Sequence, residues 1–154
     1  MSIRIGITCG DVNGIGPEIA VKAVSSGSRK SGVEFVLIGP DQIFKNSGDW
    51  TIPFAGKLTP GKITAEASRT AVAAIERAVR GCLDGELDAM VTAPVCKEGL
   101  KLAGINYPGH TEMIAELTGT KRYGMMLTGK GLRVMLATRH LPLRAVADTL
   151  TGKD

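Results

Sequence analysis

The 154-residue sequence predicts an α/β fold, and two observations carry that prediction. The first fifty residues read strand, glycine loop, helix, strand, which is a βαβ unit. Further on, a helical apolar stripe over residues 64–83 runs directly into a short apolar strand at 88–92, so helices and strands keep alternating. Composition agrees with a globular domain: 44% hydrophobic, 22% charged, with aromatics at only 4%, so aliphatic side chains must build the core.

Residues 3–9 form a β-rich run, and Pro17 suits the first turn of the helix that follows, where its missing N–H would have no partner. Gly27 and Ser28 are expected to close that helix. Residues 33–38 are apolar apart from Glu34, as expected for a strand covered on both faces. Residues 48–61, with Pro53 and Pro60, lack periodicity and predict irregular or edge structure. In the 64–83 helix, Thr64 is placed to cap the start, Glu66 complements the dipole and Gly85 lies just past the end. Residues 88–92 predict another buried strand. Two short helices follow at 97–103 and 111–117, closed by Gly104 and Gly119. Strands at 123–127 and 132–137 flank Thr128-Gly129-Lys130-Gly131 as a hairpin, and Pro142 opens a last helix reaching 150.

The net charge of +4 comes from cations dispersed along the sequence. That is a mild bias toward anionic ligands and lacks the clustered stripe of a nucleic-acid binder. No apolar run approaches the ~20 residues needed to cross a bilayer, and the N-terminus carries no signal-peptide pattern. Cys9, Cys82 and Cys96 follow no metal-ligand spacing; Cys9 and Cys82 read as core residues and Cys96 as more exposed, which predicts a reduced, cytoplasmic protein.

His110 and His140 are the only histidines. Imidazole is the side chain best suited to proton transfer near neutral pH and the commonest transition-metal ligand. Either ring can equally be a hydrogen-bonded structural histidine. In Gly109-His110-Thr111-Glu112 the imidazole and a hydroxyl stand at a helix entry, where free amides can share in binding an anion or where one of the two simply caps the helix. The 10–18 loop has spacing G-x-x-x-G-x-G, which is neither a dinucleotide fingerprint nor a P-loop; its glycines serve an anion or conformation alone. Lys97 follows the 88–92 strand, where ligand crevices form, and either steers a phosphate or is a solvated lysine. His140 ends a strand, a rigid platform for a metal ligand. One histidine is not a metal site, because catalytic zinc usually takes three protein ligands.

Four motifs occur together and in order: Gly10-Asp11-x-x-Gly14-Ile15-Gly16-Pro17-Glu18, Thr92-Ala93-Pro94-x-x-Lys97, Gly109-His110-Thr111-Glu112 and His140-Leu141-Pro142-Leu143. In these the chain resembles the 4-hydroxythreonine-4-phosphate dehydrogenases of pyridoxal 5′-phosphate biosynthesis, from Ile3 to about Leu150. Val12-Asn13 replaces the more usual Pro-Ala of the first loop. The resemblance implies an α/β/α three-layer fold similar to isocitrate and isopropylmalate dehydrogenases. The first domain would span 1–108, and 109–154 would begin the second.

The resemblance also implies a cytoplasmic homodimer using NAD or NADP and a divalent metal (Zn, Mg or Co). Its reaction oxidises the secondary alcohol of 4-phosphohydroxy-L-threonine, and decarboxylation follows. Carried over by motif, His110 and Thr111 would bind substrate and His140 would be one of three metal-binding histidines; no catalytic or cofactor-binding residue is assigned. Members of the family are about twice this long, so the chain is expected to be an N-terminal portion, inactive alone, with apolar surface exposed on the hairpin and the last helix. Two alternatives remain: a related dehydrogenase of a four-carbon phosphorylated hydroxy acid such as erythronate or threonate phosphate, and a stand-alone phosphate-binding module.

Overall fold

The computed structural model describes residues 2–26, 31–44 and 50–150. Four strands, β1 (Ile3–Thr8), β2 (Val33–Gly39), β3 (Trp50–Thr51) and β4 (Ala89–Thr92), form one sheet in the order β3-β2-β1-β4. Every pairing is parallel: Ile3 faces Val33, Ile5 faces Ala89 and Ile38 faces Trp50. The chain therefore steps from β1 to β2 in one direction and returns to β4 on the other side of β1. Right-handed crossovers in opposite directions put the intervening helices on opposite faces, giving the three-layer arrangement.

Helix α1 (Gly16–Ser25) starts with Pro17 in its first turn and leaves Ile15 and Ile19 exposed. The expected stop at Gly27 and Ser28 lies outside the described residues. A single turn, α2 (Asp41–Phe44), follows β2; four residues are too few for periodicity to show. The 48–61 segment was expected to be irregular or edge structure, and where described it contributes only the two-residue edge strand β3. Trp50 of that strand lies under the Arg77 guanidinium, 3.4 Å from the ring centroid, and Arg77 also bonds Glu86.

Helix α3 (Ala65–Leu83) organises the core. Thr64 caps it by accepting from the Ala67 amide at 3.2 Å, as its sequence position predicts. Its alanine face, Ala67, Ala74 and Ala78, packs with Ile7, Val36 and Ile38 of the sheet and with Cys9 just beyond β1. Val72, Ile75 and Val79 on a second face pack with Leu100 of α4 (Lys97–Leu102) and Met113 of α5 (His110–Leu117). Two apolar faces explain why the stripe in the sequence is broad.

Several expectations need correction. The 88–92 strand is not buried: β4 alternates exposed and half-buried residues because, among the described residues, it pairs only with β1. Cys82 is only partly buried at the rim of the core, whereas Cys9 is fully buried. The chain divides into compact units at 1–118 and 119–154, and within the first Met113 anchors α5 to α3. No helix among the described residues is long and apolar enough to cross a membrane.

In the second unit, β5 (Met125–Gly129) and β6 (Leu132–Leu136) pair antiparallel, with Met125 opposite Leu136 and Gly129 opposite Leu132. The turn is thus Lys130-Gly131 alone, tighter than the four residues expected, and Gly131 supplies a φ of +84°. The first strand begins at Met125 rather than Tyr123. The expected last helix from Pro142 reduces to a 3₁₀ turn (Leu143–Ala145) and one turn of helix, α6 (Val146–Thr149). Met126, Leu127, Leu132, Met135 and Leu143 are exposed, matching the apolar surface expected there.

Candidate functional site at the strand ends

The carboxyl ends of β1 and β4 lie side by side where the strand order reverses, the place where open α/β sheets bind ligands. After β1 the chain turns at Gly10 with φ +64°, a conformation that favours glycine. A Cβ there would also collide with the Pro94 carbonyl, so the loops after the two strands touch backbone to backbone. The Asp11 amide donates to that carbonyl at 2.9 Å and fixes the contact.

Asp11 then shapes the turn by accepting from the Asn13 amide at 2.9 Å through its side chain and from the Gly14 amide at 3.0 Å through its carbonyl. Asn13 is buried and ties in the 59–64 segment: its Oδ1 accepts from the Thr59 amide, its Nδ2 donates to the Lys62 carbonyl and its carbonyl accepts from the Gly61 amide. These contacts shape a cleft of about 280 Å³ among Asp11, Ile15, Lys62, Ile63, Pro94 and Cys96. Burial pushes the neighbouring Cys9 thiol up to about 12, so it stays protonated and serves as a core residue.

His110 and Thr111 form the first turn of α5, both half-buried. Gly109 occupies the cap position with no side-chain cap hydrogen bond, so neither His110 nor Thr111 caps the helix. The start of α5 thus has no capping side chain at Gly109, and the Glu112 carboxylate stands in the same turn. Burial holds the His110 imidazole below its ordinary value; hydrogen bonding with the Ala93 backbone partly offsets this, and the Lys97 charge adds to the lowering. The Nε2 atom is buried with no hydrogen-bond partner among the described residues. His110, Ala93 and Lys97 thus converge beyond the end of β4.

His140 belongs to the second unit, exposed between β6 and the 3₁₀ turn. Its φ of 54° makes it the one non-glycine residue in the left-handed region among the described residues, a backbone state that accumulates at functional positions. No group of three or more His, Cys, Asp or Glu side chains able to hold a metal occurs among the described residues. The residues present therefore do not by themselves make a metal centre. Sequence reasoning missed Asn13 and Lys62, because the segment that joins them to the cleft has no periodic signal.

The fold and cleft define a parallel α/β protein with its ligand crevice at the reversal of strand order. Residues 16–154 match the family described as pyridoxal phosphate biosynthetic protein PdxA, and the chain belongs to that family. It is 36% identical over 170 aligned positions to 4-hydroxythreonine-4-phosphate dehydrogenase of Burkholderia vietnamiensis, covering 97% of this chain and 52% of that protein. The enzyme of the same name from Chromobacterium violaceum is 48% identical over 101 residues, 66% of this chain and 31% of that protein. Among solved structures, the 4-hydroxythreonine-4-phosphate dehydrogenase of Klebsiella pneumoniae matches with a TM-score of 0.83 and 35% identity, over 97% of this chain and 54% of that one. A terephthalate 1,2-cis-dihydrodiol dehydrogenase from Burkholderia xenovorans matches with a TM-score of 0.72 and 26% identity, over 99% of this chain and 53% of that one. The chain spans at most about half the length of these relatives.

Proposed function

We propose that the chain supplies the phosphate end of the active site of a dehydrogenase acting on 4-phosphohydroxy-L-threonine in pyridoxal 5′-phosphate biosynthesis. The relatives' shared name supports the reaction. The observation that carries the site is His110, whose buried, unpartnered Nε2 stands at a helix start beside Lys97. The amides of the first turn of α5 and the Lys97 charge favour a dianionic group, while His110 and Thr111 supply directional hydrogen bonds to the phosphate or its neighbouring hydroxyl.

The reaction removes a hydride from the alcohol carbon to NAD or NADP and a proton from its oxygen; the resulting 3-oxo acid then loses CO₂. No described residue is assigned to the nicotinamide. The resemblance makes His140 a ligand of a divalent metal (Zn, Mg or Co), but no step is assigned to a metal on one histidine. The same reading extends to a cytoplasmic homodimer.

The test is a titration of the 154-residue protein with 4-phosphohydroxy-L-threonine, followed by the His110 ring resonances. Binding should raise the His110 pKa, because a phosphate stabilises the imidazolium, and His110→Ala should weaken affinity by about tenfold, the cost of one charge-assisted hydrogen bond. With added Zn²⁺ or Mg²⁺ the same protein should reduce no NAD. Binding indifferent to His110→Ala overturns the assignment, and turnover overturns the claim that further residues are needed. The similarity to a dihydrodiol dehydrogenase favours one second reading, a related dehydrogenase with a different diol or hydroxy acid. Tighter binding of erythronate or threonate phosphate would select it.

A further inference from the structure

The second unit holds most of the chain's excess positive charge. Between residues 119 and 150 stand Lys121, Arg122, Lys130, Arg133, Arg139 and Arg144, against one acid, Asp148. Their sequence order looks dispersed, but the fold gathers three of them. Lys121, Arg122 and Arg139 line one cleft of about 900 Å³, with Tyr123, Met135 and Leu136 among its other walls, and no carboxylate lines it. Lys121 and Arg122 make no ion pair among the described residues. The Arg139 guanidinium stacks over the Tyr123 ring at 4.7 Å, which holds its planar fork in place and lowers the entropy lost when it meets an oxyanion.

We propose that this cleft binds a phosphate or diphosphate group, held by Lys121, Arg122 and Arg139. Arginine forks match tetrahedral oxyanions in pairs of parallel hydrogen bonds, and a lysine adds a mobile point charge. A diphosphate presents enough oxygens to meet Lys121, Arg122 and the outer edge of the Arg139 fork together, which a single carboxylate does not. Met135 and Leu136 offer an apolar wall for an organic body attached to the phosphate. The lining residues all belong to the second unit and do not include His110 or Lys97, so the variants that test this proposal leave those two side chains untouched.

Pyrophosphate is the probe. Titrated into the 154-residue protein at low ionic strength, it should bind saturably, shift amide resonances at 121–124 and 135–139, and weaken as salt is added. The double variant Lys121→Gln/Arg122→Gln should lose about tenfold in affinity. A control, Lys130→Gln/Arg144→Gln, removes the same charge outside the cleft and should change affinity less than about twofold, the response of screened surface charge. All four side chains are exposed, and circular dichroism checks that both variants fold. Adenosine diphosphate binding more tightly than pyrophosphate identifies a nucleotide as the source of the phosphate; equal affinities identify a free phosphate. Equal weakening in the two double variants, or absence of saturation, overturns the proposal. Preferential binding of single-stranded oligonucleotide over both small probes also overturns it, in favour of nucleic acid.

Discussion

The two units teach different lessons about how apolar residues are used. In the first, Ile75 is fully buried and sits between a sheet and two short helices; in the second, no described residue is buried and Leu132 is 66% exposed. Both contain regular secondary structure, but only one has a core. A two-stranded hairpin is marginal in water without a third strand or a helix against it. Stability measured on this chain therefore belongs to residues 1–118, and the second unit contributes chemistry and surface.

The sharpest way to break that contrast is a pair of truncations. Ile75→Ala should cost about 2–5 kcal/mol in urea unfolding, the range for emptying a well-packed site, while Leu132→Ala should stay within about 0.5 kcal/mol. Comparable losses would show that the hairpin is part of the same cooperative core. A smaller contrast concerns glycines with positive φ. Gly10→Ala suffers both the backbone strain, about 1–3 kcal/mol, and the overlap with Pro94, whereas Gly131→Ala meets open space and suffers strain alone. Denaturant midpoints should rank Gly10→Ala well below Gly131→Ala. Removing the α3 cap by Thr64→Ala should cost about 1 kcal/mol, read from the same curves.

The gentlest probe is pH. Because burial depresses the His110 pKa in the folded state, the unfolded chain takes up the proton first as pH falls. The contribution is fully present above the ordinary value of 6.5 and is lost as pH drops through the lower folded-state value. His110→Asn should flatten that part of the stability profile, and an unchanged profile would contradict the burial of the His110 ring. Exposed Met126, Leu127 and Leu143 should also make the protein self-associate, and a strict monomer by light scattering at high concentration would contradict this.

The first unit was the more legible in sequence, for physical reasons. The Thr64 cap, the α3 stripe and the Pro17 start are local signals, and all three appear where the residues put them. The exposure of β4 was hidden, because an apolar run cannot say how many neighbours its strand has. The convergence of Lys97 with His110 was legible only as two separate motifs. That they meet beyond one strand follows from Met113 packing α5 on α3, a contact with no local signature. The hairpin's gathering of Arg139 with Lys121 and Arg122 was equally invisible, since Arg139 is remote from that adjacent pair in sequence and joins it only once β5 and β6 pair.

The stacking of Arg77 on Trp50 has a practical consequence. Trp50 is the sole tryptophan and lies in the first unit, against a guanidinium carried by the central helix. Intrinsic emission excited at the indole band is therefore a built-in gauge of whether the edge strand stays docked on that helix. Because the indole belongs to the first unit, a melting curve followed by light emission and one followed by far-ultraviolet dichroism should part company if the second unit loosens first.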